Sequence, residues 1–194
     1  WGYGPVTSEP TGPGDAGGFD PDRLQRVADF TRALVDDGHL VGTDVLVARH
    51  GRGALRSMAG MADRERAVPV ADDSLWRIYS MTKPITSVVV MQLVDEGRLR
   101  LRDPLSRFLP AFADSRVLVG GTADDPETVP AERAITIADL LTHTAGIGYS
   151  IMDRGPVDEL HRRAGLDALA AGGTLVERID RLATLPLLHQ PGTR

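Results

Sequence analysis

Between Asp20 and Gly97 the apolar residues change period twice, and that alternation limits the chain to a few layered folds. Asp20-Pro21 has the form of an N-cap followed by proline at the first helical position. Leu24, Val27, Phe30, Leu34 and Val35 then recur at helical spacing up to Asp37, and Gly38 supplies the stop. Thr43–His50 is rich in β-branched residues and predicts a strand. Gly51-Arg52-Gly53 predicts a turn, and Ala54–Ala59 the second strand of a hairpin. Leu75–Tyr79 predicts a third short extended run. From Ser80 the pattern Ile85, Val88, Val89, Gln92, Leu93 is helical again until Gly97. Helix, hairpin, strand and helix in this order fit a sheet with helices packed on it.

The flanks are less regular. Residues 1–19 are rich in glycine, proline and small polar side chains and predict a flexible arm without a core of its own. After Asp103-Pro104 a short apolar segment is limited by Pro110, and Gly120–Arg133 reads as a polar loop. Thr136 is a good N-cap with Asp139 three residues on, which predicts a short helix to about His143, broken by Ala145-Gly146-Ile147-Gly148. Two further helical patterns lie at Val157–Ala171 and Leu175–Leu185.

Several function classes are excluded by what the chain lacks. It has no cysteine, so disulfide frameworks, thiolate metal sites and cysteine nucleophiles are ruled out. Its net charge of −5 argues against a nucleic-acid surface. The apolar run Val88–Met91 is far too short to span a membrane, and no secretory leader pattern is present, which predicts a cytoplasmic location. The histidines show no paired spacing for zinc, the Asp124-Asp125 loop lacks the ligand spacing for calcium, and the glycine pairs do not form a phosphate loop. No metal and no organic cofactor is expected.

One residue carries the positive signal. Of 22 basic residues Lys83 alone is lysine, and lysine, unlike arginine, can work as a base. Ser80-Met81-Thr82-Lys83 sets a hydroxyl and an amine three residues apart on one helix face, about 5–6 Å between Cβ atoms. A neutral amine there can take the serine proton as the oxygen attacks a carbonyl, forming an acyl-enzyme. The first turn of a helix supplies unpaired N–H groups and a positive dipole end that favour an oxyanion. That same end, together with burial, disfavours an ammonium. The bland alternative is a capping serine followed by a solvated lysine.

The run Trp76-Arg77-Ile78-Tyr79-Ser80-Met81-Thr82-Lys83-Pro84-Ile85-Thr86 resembles the nucleophile segment of the serine β-lactamase-like superfamily. The likeness is nearest its class C-like branch, which includes family VIII carboxylesterases and related acyltransferases. Ile135–Ile147, containing Leu140-Leu141-Thr142-His143-Thr144-Ala145-Gly146, is similar to that branch's "LLTHTSGL" segment. Gln190-Pro191-Gly192 is similar to the Pro-Gly turn that precedes its catalytic tyrosine motif.

The resemblance implies an α+β fold of the β-lactamase/transpeptidase type, an antiparallel sheet with flanking helices plus a mostly helical subdomain. On this frame 1–19 is the arm, 20–79 the first part of the sheet subdomain, 80–103 the nucleophile helix at the junction, and 104–194 the helical subdomain. Since Arg194 stands just before the tyrosine motif, the expectation is an incomplete part of the fold, joined for activity by a complementary C-terminal polypeptide.

The implied chemistry is serine hydrolysis of a small ester or amide, with Ser80 and Lys83 catalytic. A carboxylesterase is favoured over a β-lactamase or D-amino-acid peptidase, and over a non-hydrolytic penicillin-binding sensor or an acyltransferase. Tyr149 follows the Thr-His-Thr-Ala-Gly segment and is expected to contact substrate. Tyr79 is expected on a strand with its side chain turned away. His143 and Asp139 also suggest a Ser-His-Asp arrangement with Ser80, against the plainer reading of His143 as a helix-end residue.

Overall fold

A computed structural model describes residues 18–149, 155–166 and 172–194. Residues 1–17 of the expected arm and 167–171 of the expected Val157–Ala171 helix lie outside the described residues. The chain divides into two compact units, Trp1–Arg77 and Ile78–Arg194.

In the first unit α1 (Pro21–Asp36) begins as expected. The Asp20 carboxylate accepts from the Asp22 and Arg23 N–H groups at 2.9 and 3.3 Å, a cap worth about 1 kcal/mol. β1 (Gly42–Arg49) and β2 (Arg52–Asp63) form the predicted antiparallel hairpin, with the register slipping between Val47 and Ala48. Buried Leu24 and Ala28 mark the face of α1 turned to the sheet. Arg56 pairs with Asp44 of the neighbouring strand and with Asp72, each at 3.0 Å.

The expected strand at Leu75–Tyr79 does not form. The short β3 (Val68–Pro69) pairs with the end of β2 instead. Leu75 is fully exposed. An extended apolar run becomes a strand only where a ladder partner exists, and among the described residues this run has none.

The second unit opens with a 3-10 turn, Tyr79–Met81, that runs into α2 (Thr82–Asp95). Two 3-10 turns follow, Leu105–Arg107 and Pro110–Phe112. The segment read as a polar loop, Gly120–Arg133, instead holds the end of β4 (Arg116–Gly121) and the whole of β5 (Pro126–Pro130), which pair as a hairpin. Its strands are largely solvated, and prolines bound β5, so no apolar alternation betrays it; Val117 alone is buried. Leu187 extends β4 in parallel, exchanging backbone hydrogen bonds with Arg116 and Leu118 at 2.7 and 2.9 Å.

Three short helices complete the unit: α3 (Ile137–Leu141), α4 (Pro156–Arg163) and α5 (Leu175–Ala183). Its core gathers Leu105, Phe112, Val117, Ile135, Ile137, Ala145 and Leu187, with Val90 and Leu99 packed against it. Among the described residues no helix is long and apolar enough to cross a membrane.

Candidate active site

Ser80 sits in the 3-10 turn and Lys83 in the first turn of α2, into which that turn runs directly. Lys83 Nζ donates to Ser80 Oγ at 2.9 Å. With the amine neutral the same contact can reverse, the hydroxyl donating to nitrogen. Both residues are exposed, and α2 contains no buried residue, so the burial expected around Lys83 is not found. Tyr79 departs from expectation too. It begins the turn at φ 45°, in the left-handed region, and is exposed. That conformation is an outlier for an aromatic residue and bends the backbone directly before the candidate nucleophile.

Lys83 lines an open cleft of about 380 Å³ whose other walls include Asp139, Leu140, His143, Ile147 and Tyr149. Tyr149 thus borders the same space as the Lys83 amine, with its ring half exposed. His143 also stands in the left-handed region, at φ 59°, where the short helix α3 gives way to the wall Thr142–Gly148.

The wall is held from behind. Leu188 N–H donates to the Gly146 carbonyl at 2.7 Å. Gly146 has φ 82°, and a Cβ there would run into the His189 carbonyl oxygen, so only glycine lets these two segments meet. Gly148 lies against Val157 and His161 of α4. Burial holds the His161 imidazole below the usual histidine range, with the nearby Asp158 carboxylate opposing that shift.

Asp139 is almost wholly buried, and its carboxylate is fully engaged. Arg133 grips it with both terminal nitrogens, at 2.6 and 2.8 Å, and the Thr136 N–H and hydroxyl donate to it at 2.8 and 2.7 Å. Thr144 Oγ1 adds a contact at 3.3 Å. The Arg133 bond is the largest cause holding this carboxyl well below the ordinary carboxylate range; burial works against it and the Thr136 donors add to it.

Among the described residues no bond links Asp139 to the His143 ring, which leaves the Ser-His-Asp arrangement without its hydrogen-bond chain. Nor does any group of three histidine or acidic residues among them stand close enough to hold a metal ion. The sequence pattern marks Asp139 as part of a helix cap and as the acid of the Ser-His-Asp alternative, and gives Arg133 no role. The legible signal was a lone arginine three residues before a Thr-x-x-Asp box.

Comparisons with known proteins show the family of the chain. The family model described as Beta-lactamase matches residues 27–194. Protein Rv1367c of Mycobacterium tuberculosis is 40% identical over 163 residues, covering 84% of this chain and 39% of its own length. Esterase EstB of Burkholderia gladioli is 39% identical over 166 residues, with the same shares of 84% and 39%. Among solved structures, EstCE1, described as a hydrolase with promiscuous acyltransferase activity, superimposes with a TM-score of 0.67 at 33% identity, covering 89% of this chain and 42% of EstCE1. The chain therefore spans about two fifths of the length of these relatives.

Proposed function

Because the chain belongs to the beta-lactamase family, whose model spans residues 27–194, we propose that it is a serine hydrolase that cleaves carboxylic esters through an acyl-enzyme on Ser80. The observation that carries this reading is the 2.9 Å contact between Lys83 Nζ and Ser80 Oγ at the edge of a largely apolar cleft. Esterase EstB, similar over most of this chain, supports ester over amide as the substrate.

In the proposed reaction the Ser80 hydroxyl gives its proton to Lys83 as Oγ bonds the ester carbonyl carbon. The carbonyl oxygen becomes an oxyanion beside the Ser80 N–H, one of the unpaired donors at the helix start. The carbon–oxygen bond to the alcohol then breaks, and the alcohol leaves with the proton returned by Lys83. Water repeats the sequence in reverse and frees the carboxylic acid. Tyr149 borders the acyl group. Since the chain spans about two fifths of the length of its relatives, a tyrosine to share the proton and a second oxyanion donor are proposed to belong to the part of the fold it does not cover.

A second reading has its own support. EstCE1 combines hydrolysis with promiscuous acyltransferase activity and is similar over most of this chain. On this reading an acceptor alcohol replaces water in the second half of the reaction.

The test is hydrolysis of p-nitrophenyl butyrate by the chain together with the polypeptide proposed to complete its site, with and without added alcohol. Turnover lost in Ser80→Ala and in Lys83→Met supports the reading, and ester exchange with the alcohol selects transfer. Faster cleavage of a cephalosporin than of the ester, or ester turnover undiminished in Ser80→Ala, overturns it.

A further inference from the structure

Two neighbouring segments and a third distant in sequence converge on the Arg133–Asp139 ion pair. The first is the pair's own stretch, where Thr136 caps α3 through the same carboxylate. The second is the cleft wall. Thr144 N–H donates to the Asp139 carbonyl at 2.8 Å, and its hydroxyl touches the Asp139 carboxylate. The third is the Gln190–Thr193 turn. Gly192 N–H donates to the Thr144 carbonyl at 2.7 Å. At Gly192, with φ 79°, a Cβ would strike Arg133 Nη2 and stand 3.3 Å from Asp139 Oδ1. The turn thus lies directly on the ion pair. Gln190 closes the group by accepting from the Glu132 N–H at 2.8 Å.

The burial is uneven in a telling way. The Asp139 side chain is 8% exposed, whereas Arg133 is 45% exposed. The carboxylate is therefore the fixed hub, and the guanidinium packs against the turn from the solvent side. A two-pronged arginine–carboxylate pair fixes direction as well as distance. With both oxygens already occupied, Asp139 has no lone pair to spare for proton transfer although it borders the cleft.

We infer that Arg133 and Asp139 are a positioning pair that ties the cleft wall Thr142–Gly148 to the Gln190–Thr193 turn and thereby sets the shape of the cleft beside Lys83. The effect on catalysis rests on the proposed esterase reading; the mechanical coupling does not. The pair carries no proton in the reaction. Its role is to keep His143, Ile147 and Tyr149 at a fixed offset from the amine, so loosening it changes which acyl groups fit before it changes the chemical step.

The test uses amide hydrogen exchange and steady-state kinetics on Asp139→Asn, which keeps an acceptor for Thr136, and on the conservative Arg133→Lys. In Asp139→Asn the Thr144, Leu188 and Gly192 amides should exchange at least tenfold faster, while the β1–β2 amides stay unchanged. Arg133→Lys should recover part of the protection. Against p-nitrophenyl esters of rising chain length, KM should rise about tenfold for the longest with kcat within threefold. Acceleration confined to residues 133–139, or spread evenly through the second unit, overturns the coupling. Accelerated wall and turn amides with unchanged KM throughout the series overturn the role in shaping the cleft. If the protein, assayed together with the polypeptide proposed to complete its site, hydrolyses no ester, the proposed reaction fails, and the exchange pattern alone decides the coupling.

Discussion

The two sides of the cleft are built on opposite principles. The wall side is dense: Ile135 is 1% exposed, Ile137 and Ala145 pack beside it, and the Asp139 carboxylate collects donors from Arg133, Thr136 and Thr144. The Ser80–Lys83 side is open: α2 has no buried residue, and Ile85, Val88 and Val89 are each more than half exposed. The wall is fixed by interactions among distant segments, whereas the pair is fixed by helical geometry alone. Substitutions in the wall should therefore register as stability and shape, and substitutions in the pair as chemistry with little loss of fold.

The strongest expected break of this contrast is at the nucleophile. Ser80→Ala should lower ester turnover by at least about a thousandfold, more than about 4 kcal/mol of barrier, while moving the melting temperature by no more than a degree or two. Kinetics alongside a thermal melt checks both halves. Next comes the wall's centre. Ile135→Ala should cost about 3–4 kcal/mol in urea unfolding, because the buried side chain leaves a cavity. Val88→Ala on exposed α2 should cost under about 0.5 kcal/mol. Equal costs would dissolve the comparison.

Arg133→Met should cost about 2 kcal/mol, the loss of a charge-assisted pair that is partly open to solvent. The matching acid dependence has a definite sign. Asp139 is held below its unfolded value, so its contribution is complete above about pH 4 and declines as pH falls below that. Asp139→Asn should flatten this acid limb of a stability–pH curve.

The smallest effect belongs to His161. Burial holds it below its unfolded value, so the unfolded chain takes up the proton first, and stability declines as pH falls below about 6.5. A His161→Phe variant measured at pH 7.5 and 5.5 should show a smaller difference than the unmodified chain.

What could be read from the sequence follows the range of the interactions. α1 with its Asp20 cap, the β1–β2 hairpin and the Thr136–Asp139 box depend on neighbours within a few residues, and each is visible as spacing. The closeness of the Ser80 and Lys83 side chains was legible for the same reason, three residues apart at a helix start. The β4–β5 hairpin was not, because its strands are largely solvated and β5 is bounded by prolines. Leu75–Tyr79 misled because strand propensity does not supply a ladder partner. Arg133 stayed hidden because its meaning lies in Gly192, which the fold and not the sequence order brings to it.

The most direct measurement is the mapping of a fluorophosphonate adduct by intact mass and peptide sequencing. The account predicts a single adduct on Ser80, formed at least a hundredfold more slowly in Lys83→Met. Labelling at another residue, or at Ser80 with equal speed in both proteins, would contradict it.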